Sequence, residues 1–132
     1  PAERFDAHVV MCPLGIQAMQ EASQYLGGTH DFKSFCAAKT QAQTTVRTVT
    51  GIEVEAHPLS EGEYPSKKVI IRVTGEGFLY NMVRIISGTL IKVGLGVYPP
   101  EHVKQILEAC DRSQAGETVP AKGLFLKKIE YL

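Results

Sequence analysis

The segment Gly75-Glu76-Gly77-Phe78-Leu79-Tyr80-Asn81-Met82-Val83-Arg84 joins a predicted strand to a predicted helix and decides the fold. Before it, Val69, Ile71 and Val73 alternate with other side chains, the period-two pattern of a strand with one buried face. After it, apolar residues recur at helical spacing. They predict a helix over about 79–95 with a buried stripe of Leu79, Met82, Val83, Ile86, Leu90 and Val93.

Arg84 stands early in that helix, roughly 140° round from Leu79 at about 100° per residue. Its side of the helix is shared by Tyr80, Gly88, Ile91 and Leu95. A buried arginine needs an anionic partner, because an unpaired buried charge is costly. The partner is either a glutamate of this chain, such as Glu76, or a carboxylate or phosphate from elsewhere. Spacing alone does not decide between them.

The remaining periodicities predict further helices and strands on both sides of this turn. Before the turn, in chain order, they are a strand over 5–10, a helix from about Pro13 to Gly27-Gly28 with Tyr25 in its buried stripe, a loop over 29–35, a strand over 44–56 with a bulge at Gly51, and a loop over 59–67. The strand 68–76 and the helix 79–95 flank the turn itself. After them come a helix opened by Pro99-Pro100, a polar loop over 112–122 and a strand over 124–131. This order predicts an α+β fold with a ferredoxin-like split βαβ arrangement, in which helices cover one face of a mainly antiparallel sheet.

Length and composition indicate one globular domain spanning residues 1–132. The formal net charge is zero, which argues against binding a polyanion through bulk charge alone and is compatible with a local basic groove. No stretch is apolar enough for a membrane span. Three widely spaced cysteines predict a reducing, cytoplasmic environment rather than a disulfide framework. Because the sequence starts at Pro1 without Met, we expect a piece of a longer polypeptide.

Four short motifs suggest chemistry but have simpler structural interpretations. Gly75-x-Gly77 lacks the third glycine of a dinucleotide loop, so we interpret the glycines as easing a tight turn. His30, Asp31 and Cys36 lack the paired spacing of a zinc site, and no metal is predicted. Asp6 is interpreted as part of a polar lead-in to a strand. Asp111-Arg112 is placed at the end of a helix, where the cation would bond terminal carbonyls.

Several motifs together resemble the C-terminal half of the tRNA pseudouridine synthase A family. In order they are Gly28-Thr29-His30-Asp31-Phe32-x-x-Phe35, Arg47-Thr48-Val49, Gly77 to Arg84, Gly88-Thr89-Leu90, Val93-Gly94-x-Gly96, Asp111-Arg112 and Ala121-x-Gly123-Leu124-x-Leu126. The resemblance covers nearly the whole chain from about Cys12 onward.

The resemblance implies an isomerase that converts uridines of the tRNA anticodon stem–loop to pseudouridine without a metal or organic cofactor. In this family an aspartate attacks the nucleoside, and the base is freed, rotated and rejoined through carbon, after the uridine has left its stack. Arg84 matches the arginine that pairs with that aspartate, and Leu124 matches a leucine that lines the uracil pocket. Tyr80, on the Arg84 side of the helix, is a second candidate for substrate binding. The expected partners are tRNA, the N-terminal half of the enzyme and a second copy in a homodimer.

The motif that carries the catalytic aspartate of the family, Arg-Thr-Asp-x-Gly-Val-His-Ala, is absent from the sequence. The segment Arg4-Phe5-Asp6-Ala7-His8-Val9 lacks its glycine, and we do not assign the nucleophile to Asp6. We therefore predict a C-terminal domain that is inactive alone and supplies one wall of an active site. The alternative is an α+β RNA-binding or dimerisation module without catalysis, which the zero net charge and the missing nucleophile favour. Lys39, Arg47, Lys67 and Lys68 are candidates for tRNA contacts.

Overall fold

A computed structural model describes residues 2–11, 15–36, 44–58, 67–79, 81–115 and 124–131. The strands are β1 (Ala2–Met11), β2 (Gly28–Asp31), β3 (Val46–Pro58), β4 (Lys67–Glu76) and β5 (Leu124–Tyr131). The helices are α1 (Ile16–Ser23), α2 (Met82–Gly94) and α3 (His102–Ala109). Short 3₁₀ turns cover Gln24–Leu26, Lys33–Phe35 and Arg112–Gln114. The predicted loop 59–67 lies almost entirely outside the described residues, as do residues 116–122 of the predicted polar loop.

The five strands form one sheet in the order β2-β3-β4-β1-β5, and each described pair of neighbours is antiparallel. Strands β4 and β5 therefore point the same way with β1 between them, while α2 and α3 connect them along the chain. This is a split βαβ unit, and β1, α1 and β3 form a second one around β4. The predicted α+β, ferredoxin-like arrangement is confirmed, with β2 added at one edge.

The alternation in β4 separates a buried face from a half-buried one. Val69, Ile71 and Val73 have no exposed surface and belong to the core beneath the helices. Arg72 and Thr74 are half-buried on the opposite face. The predicted bulge at Gly51 is also present, because the register between β3 and β4 shifts between Val49 and Gly51. The period-two interpretation of this part of the chain is therefore confirmed.

Helix α2 is the most deeply buried helix among the described residues. The predicted stripe is at most 6% exposed at each of its positions, Leu79, Met82, Val83, Ile86, Leu90 and Val93. Burial extends to Ile85, Ser87 and Thr89 as well, because α2 contacts α1, the sheet and the 3₁₀ turn at Lys33–Phe35. Only three residues of α2 are not buried, and they lie on one narrow stripe: Arg84, Ile91 and Lys92.

Four predictions need correction. Residues 29–35 are not a plain loop, because Gly28–Asp31 pairs with β3 as an edge strand whose polar residues carry no alternating signal. The helix predicted from residue 79 begins at Met82, since Asn81 has a left-handed φ of 60°. The leading strand is longer than 5–10. Tyr25, expected in a buried stripe, is 37% exposed, because the chain has tightened into a 3₁₀ turn there.

Candidate functional site

The turn between β4 and α2 depends on two glycines for different reasons. A Cβ at Gly75 would lie 2.5 Å from the main-chain oxygen of Thr48, so close strand packing excludes any larger residue. Gly77 has a φ of 63°, which side chains with a Cβ rarely adopt. Both glycines thus serve the backbone path, as the sequence predicted, and neither indicates a nucleotide loop.

The turn is attached to the body of the domain by three side chains. The ring of Phe78 packs edge-on against Phe5 with centroids 5.2 Å apart, and Leu79 is only 5% exposed. From β3, the Arg47 Nε donates a hydrogen bond to the main-chain oxygen of Gly77. The first turn of α2 is therefore presented from a fixed support.

Arg84 is the third residue of α2 and is half-buried. Within the described residues its guanidinium forms no hydrogen bond and lies within 4.0 Å of no carboxylate. Pairing with Glu76, the internal alternative considered from the sequence, is therefore not present. The geometry leaves Arg84 available to an anion from outside the described part of this chain.

Arg72 shows what an internally satisfied arginine looks like in the same domain. Its Nε donates to Asp6 at 3.2 Å, and its Nη1 donates to Glu55 at 3.0 Å and to Glu53 at 3.4 Å. Burial acts to lower the pKa of Arg72, but the carboxylates of Asp6 and Glu55 outweigh it and raise that pKa. Arg72 therefore has its counter-charges within the sheet, and Arg84 does not.

Asp6 lies in the middle of β1 rather than in a lead-in to the strand, so that interpretation was wrong. It is 3% exposed and is held by Arg72, with the Arg4 Nε 4.0 Å away. A carboxylate so placed stabilises the sheet. Its structural role agrees with the decision not to assign the nucleophile there.

The His30–Asp31 pair is part of the fold's internal bonding. Asp31 accepts hydrogen bonds from the Lys33 amide at 3.1 Å and the Thr45 hydroxyl at 2.5 Å, and His30 Nε2 lies 2.8 Å from the oxygen of Gly27. Both residues also line a cleft of about 450 Å³ with Tyr25, Lys104 and Glu108 among others. No cluster of three or more metal-ligating side chains occurs among the residues for which side chains are described.

Asp111 and Arg112 follow α3 instead of ending it, because Cys110 takes a left-handed φ of 50° and closes the helix. The Asp111 amide donates to the Ser34 hydroxyl, which in turn donates to the oxygen of Ile106, both at 2.7 Å. The Asp111 carboxylate accepts from the hydroxyl and the amide of Ser113, and these bonds lower its pKa. This motif therefore joins α3 to the Lys33–Phe35 turn.

The two predicted substrate-binding residues are placed only in part. Tyr80 lies outside the described residues. Leu124 begins β5, where its backbone pairs with Val9, level with Val69 near the start of β4. Arg84 instead follows the end of β4. The described backbone thus does not bring Leu124 and Arg84 together.

The candidates for tRNA contacts also differ in their surroundings. Lys39 lies outside the described residues, and so does the side chain of Lys67. Lys68 is half-buried on the face of the sheet opposite the core. The Arg47 guanidinium donates three hydrogen bonds to main-chain oxygens, and nothing in the sequence indicated these bonds. Part of the Arg72 network has a sequence signal, since Glu53 and Glu55 alternate along the predicted strand that precedes the strand of Arg72.

Fold and site together define an α+β domain that presents a half-buried arginine, without a counter-charge among the described residues, at a strand-to-helix turn. A family model described as tRNA pseudouridine synthase matches residues 22–132. The chain belongs to this family, and the resemblance inferred from the ordered motifs is confirmed.

Curated relatives give the same result along nearly the whole chain. The chain is 48% identical over 128 residues to the tRNA pseudouridine synthase A of Brevibacillus brevis, covering 97% of this chain and 49% of that protein. It is 49% identical over 118 residues to the Bacillus subtilis protein of the same name, covering 89% and 44%. It is 47% identical over 131 residues to tRNA pseudouridine synthase A 2 of Clostridium tetani, covering 99% and 50%. The chain spans about half the length of these relatives and matches their C-terminal half.

No helix in the described part of the chain is both long and apolar enough to cross a bilayer.

Proposed function

We propose that this chain is the C-terminal domain of a tRNA pseudouridine synthase that isomerises uridines of the tRNA anticodon stem–loop. Its contribution to the active site is Arg84, which pairs with an aspartate nucleophile supplied by the N-terminal half of the enzyme. The observation that carries the proposal is that Arg84 is half-buried yet has no counter-charge among the described residues. Family membership supports the class of reaction.

The chemistry of the guanidinium suits this role. It is planar, always charged and able to bond a carboxylate through two parallel hydrogen bonds. A positive charge beside the aspartate lowers that carboxyl's pKa and keeps the nucleophile ionised. A fixed fork also aims the carboxylate at the sugar, which contributes to rate through orientation. Binding, leaving and rejoining of the uracil proceed without a cofactor.

Leu124 and Tyr80 are proposed to contact the target uridine, because each lies in a motif that matches the family, Ala121 to Leu126 for Leu124 and Gly77 to Arg84 for Tyr80. The assignments of Leu124 and Arg84 rest on different observations, so they are tested separately. Leu124→Ala in the full-length enzyme is expected to impair use of tRNA by weakening contact with the base. Kinetics identical to wild type would remove Leu124 from the pocket and leave the assignment of Arg84 intact.

The partners that follow are tRNA, the N-terminal half and a second copy of the enzyme, in the cytoplasm. The nucleophile belongs to the other half, so this chain alone should form no pseudouridine. The assay is release of tritium from 5-³H-uridine tRNA, with the isolated chain compared against a chain that also carries the N-terminal half. Turnover by the isolated chain would contradict the division of the site between two halves. No turnover by either would favour a non-catalytic RNA-binding or dimerisation module.

A further inference from the structure

Arg47 connects the start of β3 to the turn that precedes Arg84. Its Nε donates to the main-chain oxygen of Gly77, and its Nη1 donates to the oxygens of Thr44 and Val46, both at 2.7 Å. The side chain also lies across Gly77, whose missing Cβ would stand 3.6 Å from the Arg47 Nε. The guanidinium therefore ties two separate stretches of backbone together.

Phe78 and Leu79 hold the turn through apolar contacts, and its polar contacts are few. Asn81 holds a left-handed φ of 60°, which a residue other than glycine adopts at a cost and keeps where its surroundings impose it, whereas Gly77 adopts its φ of 63° freely. Asn81 stands at the N-terminus of α2 without a side-chain capping bond. Within the described part of this turn, the side-chain hydrogen bond to the main chain comes from Arg47, at Gly77, and the bond from Thr50 lies further back, at Thr74. The polar support of this turn thus rests on Arg47.

We propose that Arg47 is a positioning residue for the reaction: by holding the Gly77 carbonyl it sets the direction in which the first turn of α2 presents Arg84. This inference rests on the proposed function. Arg47 itself touches neither substrate nor nucleophile. A displacement of about 1 Å at a reacting group can slow an enzyme about a hundredfold, so a distant clamp of this kind affects rate rather than binding.

Contact with a tRNA phosphate is the competing role for Arg47, and two substitutions separate the roles. Arg47→Lys keeps the charge but loses the fork that reaches three carbonyl oxygens, whereas Arg47→Gln removes the charge as well. A positioning role predicts that both variants slow the single-turnover rate at saturating tRNA by about 10- to 100-fold. Affinity for tRNA and its salt dependence should stay close to wild type. If Arg47 contacts a phosphate, the tRNA affinity of Arg47→Lys should be close to wild type. The tRNA affinity of Arg47→Gln should then be weaker and less dependent on salt.

Arg72→Lys is the matched control, because Arg72 is also half-buried and also bonds through Nε and Nη1, but to carboxylates on the open face of the sheet. It should leave the single-turnover rate near wild type. Hydrogen exchange adds a readout on this chain alone. The amides of 77–84 should exchange faster in both Arg47 variants and at the wild-type rate in Arg72→Lys.

The inference is tested most closely by coupling to Arg84. If Arg47 acts through Arg84, Arg47→Lys should slow the single-turnover rate by a smaller factor in an enzyme that already carries Arg84→Lys than in the wild-type enzyme. Additive effects, unchanged rates in both Arg47 variants, or a loss confined to tRNA affinity would overturn it. These results are distinct from failure of the proposed function, which would show as near-wild-type turnover when Arg84 itself is replaced.

Discussion

Two half-buried arginines in this domain have opposite surroundings. Arg72 is bonded to three carboxylates of neighbouring strands, while Arg84 has none within reach among the described residues. An arginine with its counter-charges in place stabilises the sheet that holds it. One without them is an incomplete ion pair, and in the proposed function the carboxylate that completes it comes from the N-terminal half of the enzyme. The sequence alone does not distinguish Arg72 from Arg84 in this respect, because the difference lies in which side chains the fold places beside each of them.

The thiols of Cys36 and Cys110 should react slowly with alkylating agents. Burial first, and then the Asp31 carboxylate, raise the pKa of each thiol, so little thiolate is present near neutral pH. Cys36 is 3% exposed and Cys110 is half-buried, so iodoacetamide at pH 8 should modify Cys110 first. Peptide mapping by mass spectrometry measures both rates. In urea the two should converge, and equal rates in the folded chain would contradict the buried position of Cys36.

Gly75→Ala should destabilise the chain by about 1–3 kcal/mol, because the new methyl group meets the Thr48 oxygen and backbone must move. Gly51→Ala is the control on the neighbouring strand, where the nearest atom is 4.0 Å from the new Cβ. That change should be close to neutral. Urea unfolding of both variants gives the comparison. An equally mild effect at Gly75 would mean that β3 and β4 are less closely packed at this point.

At the scale of elements, the central sheet carries a charged network on the face away from the helices. Asp6→Ala should cost about 1–3 kcal/mol, since it leaves the half-buried Arg72 without its most buried partner. Glu53→Ala removes a partner whose side chain is 65% exposed and should cost less than about 1 kcal/mol. Urea denaturation of the isolated chain measures both. Similar costs would show that burial of Asp6 is not what makes its ion pair important.

Elements with strong periodicity were predictable, and those without it were not. The alternation of β4 and the apolar stripe of α2 follow from burial of one face, so the sequence alone placed them. β2 is four polar residues long and exists because it pairs with β3, a long-range interaction that leaves no local pattern. The start of α2 shifted from residue 79 to Met82 for a similar reason, since Leu79 is buried without being helical.

The sequence predicted individual residues of the site but not the contacts between them. The position of Arg84 on the helix followed from residue spacing, but its lack of a partner needed the structure. The clamp formed by Arg47 had no sequence signal, because an arginine that bonds carbonyl oxygens looks like any other basic residue in a strand. The roles of Leu124 and Tyr80 stay predictions.

At the scale of the whole molecule, the domain carries at one end of its sheet a charge that has no counter-charge among the described residues. Helix α2 is fixed by burial on nearly every side, and its first turn is held by the Gly75–Asn81 segment. Nothing in the described residues completes the ion pair of Arg84. Such a domain is suited to support chemistry performed by another half, which agrees with its match to about half the length of its curated relatives.

The most direct test is the single-turnover rate of Arg84→Ala in the full-length enzyme, at saturating tRNA. Loss of the guanidinium should slow pseudouridine formation by about a hundredfold to a thousandfold or more, because the nucleophile loses both its counter-charge and its orientation. Lys92→Ala is the control, as Lys92 is a cation on the same unburied stripe of α2 that lies over the Tyr98 ring. It should react at nearly the wild-type rate. Near-wild-type turnover of Arg84→Ala would contradict the account.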